Sequence, residues 1–420
     1  MSGTIPSGFT LPVQVVEAGG VTAWLAEDHA VPVISLAFSI PGGAALDPEG
    51  REGACALAAA LLTEGAGDLD SNAFQELLRD TAISFNFSAD RDEFSGSFRC
   101  LTDALPEATR LARFALSAPR MEAGDIERVR ARAIAGARQA LENPRGQAGR
   151  AFWSAALPGP LGRAPGGTAE SLATLPGDLL KSVPARQFRR GGLLVAASGA
   201  ITAGQLRDVL AALFGDWPAE APEGVPAPPP FSARGVQVLT MDSPQSAAVF
   251  GQPGLAVDDP DWEAAGVVLR VLAGGGFSSR LMQAVRVERG LAYGIGAGPE
   301  PVAGRSVIVG SVATENARMA ETLSVLRGEW ARMAASGPTE AEREEAVAYL
   351  TGSQPLSFTS TRQVANILLA LRRNNRPLDW LANRPARLAA LSREKLAEVA
   401  ARVLQPDALA VTVAGKPEGL

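Results

Sequence analysis

The most specific chemistry in this chain rests on two residues seven positions apart, Arg286 and Tyr293, in the stretch GGGFSSRLMQAVRVERGLAYGIGAG from Gly274 to Gly298. A guanidinium offers planar, always charged donors and a phenol offers one directional donor. Both suit the stabilisation of negative charge developing on a carbonyl oxygen. A helix end and a turn at Gly290 would bring the two side chains to one surface. Ser278 or Ser279 stands where a short helix needs a cap. Gly274, Gly275 and Gly276 ahead of the pair, and Gly294, Gly296 and Gly298 after it, leave room for a substrate backbone to come close. The candidate catalytic residues are therefore Arg286 and Tyr293, and the candidate substrate contacts are Gly274, Gly275, Gly276, Ser278, Ser279 and Gly294. A competing view makes Arg286 a solvated helix residue and Tyr293 a sheet-core residue. A phosphate cradle fails on context: the glycines follow no clear Rossmann strand, no Walker lysine follows them, and no acidic ribose partner is apparent.

The rest of the chain offers little else for hydrolysis. Its one histidine, His29, lies in AEDHAVP and reads as a strand-end or loop residue, and no G-x-S-x-G elbow occurs. Cys55 and Cys100 lack both metal-ligand spacing and a disulfide framework, so they read as structural thiols. A net charge of −6 and a pI near 5.2 argue against a general nucleic-acid binder. No Lys or Arg precedes Arg51, so the charged region that opens a secretory signal is missing. The apolar runs Val31–Ile40 and Ala54–Leu62 are too short to span a bilayer. The expectation is a soluble protein, cytoplasmic, or periplasmic if a signal peptide was removed, with no membrane and no nucleic-acid partner.

The elements that must position the pair come in two sets. At 420 residues the chain exceeds one ordinary core. The stretch PAEAPEGVPAPPPFSARG, with six prolines between Pro218 and Pro230, reads as an extended connector. This predicts domains over 1–217 and 235–420 with a linker at 218–234. The ends of the halves align at a constant offset of 216: Leu172, Ala173, Leu175, Leu180 and Gly199 fall on Leu388, Ala389, Leu391, Leu396 and Gly415. Strands are expected at ISFNFSAD, EFSGSFRC, LAYGIGAG and RSVIVGSVAT, and helices across 105–116, 125–141, 317–335 and 339–350. The fold class is α+β: two tandem homologous domains, each a largely antiparallel sheet with helices packed on one face.

This order of motifs resembles the pitrilysin/insulysin-type (inverzincin) zinc metallopeptidases, especially their short bacterial two-component members. The likeness covers nearly the whole chain. It rests on Gly274–Gly276, Ser278–Leu281, Arg286, Gly290, Leu291 and Tyr293, with PLGR from Pro160 and GT-x-ES from Gly167. The resemblance implies an H-x-x-E-H helix in the first half. Aligned on the flanking glycines, GACALAAALLTEGAG instead holds Ala56 and Ala60 at the two ligand positions and Ala59 at the base position. The neighbourhood of the third ligand offers Ala135, Gly136 and Ala137. Alanine has no lone pair for zinc and no carboxylate to take a proton, yet it is the best helix former. The scaffold is kept while the chemistry is gone, so no cofactor is expected in this chain.

What the resemblance then implies is a non-catalytic subunit of a heterodimeric zinc endopeptidase. A homologous subunit bearing H-x-x-E-H would hold the zinc. This chain would help enclose a peptide substrate and place Arg286 and Tyr293 beside the partner's metal. A precursor peptide, such as that of pyrroloquinoline quinone, is a substrate the resemblance permits. The alternative is a structural scaffold subunit without proteolysis. The basic run LRRNNRP from Leu371 reads as a solvated helix end or a contact for an acidic partner, and Phe152, Trp153 and Trp217 as core or interface.

Overall fold

A computed structural model describes residues 11–420. The first half forms a six-stranded sheet from β1 (Gln14–Ala18), β2 (Val21–Glu27), β3 (Val33–Pro41), β4 (Ser84–Ala89), β5 (Glu93–Leu101) and β6 (Leu194–Gly199), in the order β1-β2-β6-β3-β5-β4. The second forms a five-stranded sheet from β7 (Val236–Thr240), β8 (Gln245–Pro253), β9 (Ile295–Val302), β10 (Arg305–Glu315) and β11 (Ala410–Gly415), in the order β7-β11-β8-β10-β9. Among the described residues, only β2 with β6 and β7 with β11 pair in parallel. Residues between Phe214 and Val236 form no helix or strand. At the offset of 216, β6 coincides with β11 and the helix Gly177–Gln187 with the helix Arg393–Val403.

The central strands β3, β6, β8 and β11 are buried on both faces, and residue size sorts the faces. In β3, Ile34, Leu36, Phe38 and Ile40 enter the core formed with the first half's own helices, whereas Ala37 faces the opposite way. In β11, Val411 and Val413 face the own-half core while Ala410 and Ala414 face outward. Small outward residues let a helix lie close, and that helix comes from the other half. Thr361–Arg373 covers β2, β6 and β3 through Val364, Ala365, Leu368 and Leu369. Pro144–Ala156 covers β8 and β11 through Ala148, Phe152 and Ala156. The α+β class and the helical face of each sheet are as expected; the exchanged helices add a cover on the second face that periodicity within one half does not encode.

The exchange gives the basic run its role. Arg372 donates to the carbonyls of Val195 at 2.7 Å and Thr22, Arg373 pairs with Glu93 at 2.6 Å, and Arg376 donates to the Val257 carbonyl. LRRNNRP is thus not a free basic patch: Arg372 and Arg373 fasten the exchanged helix to the first half, and Arg376 bonds within the second. Trp217 packs in the first core, stacked on Phe188 at 5.1 Å, and Phe152 is fully buried between the halves. Among the described residues, no helix is long and apolar enough to cross a membrane.

Candidate functional site

The glycine-rich turn joins two unusual helices. Trp262–Leu269 runs into a π turn at Arg270–Gly274, and Arg280–Met282 runs into a second at Gln283–Val287. Such widened turns concentrate at functional sites because they re-aim side chains. Gly276 takes φ +59°, a left-handed value that favours glycine. Ser278 and Ser279 donate to the carbonyls of Gly275 and Gly276 at 3.1 and 2.8 Å. Ser279 occupies the cap position, but its hydroxyl makes no cap bond and its side chain is fully buried. It therefore staples the turn, which corrects its expected role as a side-chain cap and substrate contact. Arg280 holds the turn to the helix Glu340–Gly352 by a two-pronged pair with Glu342, both bonds 2.7 Å.

The loop after the second π turn is equally fixed. Leu291 donates to the Val285 carbonyl at 2.8 Å, Arg318 to the Gly290 carbonyl at 2.8 Å, and Thr314 to the Leu291 carbonyl. With Leu291 and Ala292 buried beneath it, Tyr293 is 83% exposed, so the sheet-core view of this residue fails. β9 starts at Ile295, four residues later than expected, because the Leu291–Gly294 segment is used as this loop. Arg286 donates through Nη1 to the Tyr293 carbonyl at 2.8 Å, and its guanidinium carbon lies 4.1 Å from the centre of the Tyr293 ring. The guanidinium carbon also lies 4.5 Å from the centre of the Phe277 ring, itself exposed. Phe277 escaped the reading of the motif, although an aromatic residue inside a glycine turn was the available signal.

Tyr293 and Gly294 open on a cleft of about 980 Å³. Gly296 and Ser311 line its sheet side, and Arg145 and Trp153 of the exchanged helix line its far wall. The last two were not legible as site residues, because they arrive from the other half. Gly274 and Gly276 are solvent-exposed at the turn but do not line this cleft.

The first half has a cleft of about 1330 Å³, and Ala56, Ala60 and Ala137 line it together with Ala133. Ala135 and Gly136 are exposed elsewhere on the helix Ala123–Leu141, and Ala59 is 2% exposed in the core below Ala56 and Ala60. Glu64, a carboxylate lining the same cleft, accepts from Arg128 at 2.9 Å, Ser71 at 2.8 Å and Arg132 at 3.3 Å. Burial would raise its pKa, but these donors hold it below the ordinary value. A carboxylate so engaged is a poor base. Methyl groups fit no metal, and among the described residues no group of three or more His, Cys, Asp or Glu could hold one. Asp47 caps the 54–61 helix by accepting from Gly53 at 2.8 Å and Cys55 at 2.9 Å, and burial pushes it up to about 6. Burial also raises the Cys55 thiol, and pushes Cys100 up to about 12, so neither is a ready nucleophile. His29 pairs with Glu27 at 2.9 Å on the exposed end of β2.

Residues 180–350 match the family described as Peptidase M16 inactive domain. The chain is 26% identical over 339 residues to the non-peptidase homolog YmxG of Helicobacter pylori, covering 79% of this chain and 77% of that one. It is 30% identical over 213 residues to an uncharacterized zinc protease of Streptomyces coelicolor, covering 49% of this chain and 46% of the other. Its fold matches the crystal structure of a peptidase M16 inactive domain from Pseudomonas fluorescens with a TM-score of 0.90 at 25% identity, over 97% of this chain and 98% of that chain. Over nearly its whole length the chain is thus similar to M16, pitrilysin/insulysin-type peptidase homologues, and among them to proteins described as inactive or non-peptidase members.

Proposed function

We propose that this chain is the activity-completing subunit of a heterodimeric zinc endopeptidase. The observation that carries the reading is a contrast. Tyr293, exposed and bonded to the half-buried Arg286, lines a cleft of about 980 Å³, while the positions matching H-x-x-E-H hold alanine. A homologous subunit would hold the zinc, which supplies the activated water. This chain's part is to close the chamber, bind the peptide along the cleft, and offer the Tyr293 phenol and the free Arg286 N–H groups to the scissile carbonyl oxygen. Donors fixed before the reaction stabilise the charge without reorganisation. The substrate would be an unfolded peptide small enough to be enclosed, such as a leader or precursor peptide, that of pyrroloquinoline quinone among them. The complex would work in the cytoplasm.

The test is gentle purification of the tagged chain from its host, followed by peptidase assay of whatever comes with it. A stoichiometric H-x-x-E-H partner, with activity lost in Arg286→Ala at unchanged assembly, supports the reading. Full activity in that variant, or an assembly without any zinc peptidase, replaces it with the scaffold reading.

A further inference from the structure

We infer that Arg270 and Tyr349 form a second, carboxylate-binding subsite across the glycine turn from Arg286 and Tyr293, taking an acidic group of the bound peptide. The inference rests on the peptide-binding reading above and extends it. The chain has two tyrosines in 420 residues. Both are exposed, Tyr293 at 83% and Tyr349 at 53%, and both lie against a guanidinium. The Arg270 guanidinium carbon is 3.5 Å from the centre of the Tyr349 ring. Both arginines sit in the π turns that flank Gly275 and Gly276. The Arg280–Glu342 pair fastens the helix carrying Tyr349 to the same turn.

The charge on Arg270 is what points to a ligand. The other partly buried arginines of this half have carboxylate or backbone-carbonyl partners: Arg280 and Glu342 at 2.7 Å, Arg343 and Glu340 at 2.6 Å, Arg387 and Glu263 at 2.6 Å, with Arg286, Arg327, Arg372 and Arg376 on carbonyls. Arg270 is half-buried and has no hydrogen-bond or ion-pair partner among the described residues. The ring excludes water from one face and holds the guanidinium still, while its N–H edge stays free. An ordered, partly desolvated guanidinium with unused donors binds a carboxylate by charge-assisted, two-pronged hydrogen bonds. A substrate backbone lying over Gly275 and Gly276, with its reacting carbonyl toward Arg286, would carry a neighbouring acidic group toward Arg270. The shared chemistry is a carboxylate, from a Glu or Asp side chain or from the peptide's own C-terminus.

Two tyrosines make the test direct. The full chain labelled with 3-fluorotyrosine gives two fluorine resonances, assigned with Tyr349→Phe. It is titrated with a short peptide blocked at both ends and carrying one glutamate, with its glutamine twin, and with the twin left free at its C-terminus. The expected result is that the Tyr349 resonance shifts with the glutamate peptide and not with the blocked glutamine twin, and that Arg270→Gln weakens that binding about tenfold, the size of one charge-assisted hydrogen bond. A Tyr349 shift only with the free C-terminus supports the subsite with that carboxylate as its source. A Tyr349 resonance that moves equally with all three peptides, or with none, overturns the subsite. The Tyr293 resonance reports separately: movement there alone leaves the Arg286 site standing and the subsite refuted, and movement at Tyr349 alone does the reverse.

Discussion

Arg286 and Tyr293 behave as one unit, because the guanidinium lies over the ring and is bonded to the carbonyl of the same residue. The arrangement leaves the phenol hydroxyl and the remaining guanidinium N–H groups without protein partners among the described residues. In a reconstituted complex, Arg286→Ala and Tyr293→Phe should each lower kcat by about 10²–10³, the range for removing one oxyanion donor. KM and assembly should change far less. Steady-state kinetics beside size-exclusion profiles check both.

Phe277 packs against the Arg286 guanidinium, 4.5 Å from its carbon, so it positions that side chain. Phe277→Ala should loosen the guanidinium and lower kcat severalfold, consistent with about 0.5–1 kcal/mol for an exposed cation–π contact. Phe277→Trp should restore the loss, whereas a purely steric role in the turn would leave the tryptophan variant impaired.

Rebuilding the motif should fail in an informative way. Ala56 and Ala60 line the first cleft one helical turn apart, so Ala56→His with Ala60→His should bind zinc weakly and support no peptidase activity, since Ala133 and Ala137 supply no third ligand. Ala59 is 2% exposed, so Ala59→Glu should destabilise the chain by several kcal/mol or force the helix to shift. Zinc titration and urea unfolding separate the two effects.

The exchanged helices should make the halves unfold together. Leu368 comes from the second half but is buried on the sheet of the first. Leu368→Ala should cost about 2–5 kcal/mol and Phe152→Ala about 3–5 kcal/mol. Each should lower the stability of both halves in a single transition. Separate transitions, followed through Trp217 in one core and Trp330 in the other, would refute this coupling.

The contact between halves also titrates. Burial pushes Glu93 up to about 7; Arg373 opposes the shift, and Asp92 and Asp90 add to it. A carboxyl whose folded pKa lies above its unfolded value contributes stability that is full below the unfolded value and lost as pH rises through the folded one. Stability should therefore fall between about pH 4.5 and pH 7, with Asp47, raised to about 6, acting in the same direction lower in that window. Glu93→Gln should flatten this slope by an amount on the order of 1–3 kcal/mol, read from denaturant midpoints across the range.

The sequence by itself determined the duplication, the α+β class and most element positions, since those follow from local periodicity. The 216 offset lands on matching strands and helices in the structure. It also determined that this chain cannot hold the family's metal at Ala56 and Ala60, because donor atoms belong to a residue type whatever the fold. Tertiary structure alone decided which side chains meet. The outward alanines of β3 and β11 encode room for a helix, but not that Thr361–Arg373 and Pro144–Ala156 would cross between halves to fill it. Ser279 reads as a substrate contact until the turn buries it, and the competing core view of Tyr293 falls only once Leu291 and Ala292 take that place. Arg145 reaches the Tyr293 cleft, and Arg270 meets Tyr349, across long stretches of chain. Contacts at such separation depend on how whole elements pack, and no local pattern records them.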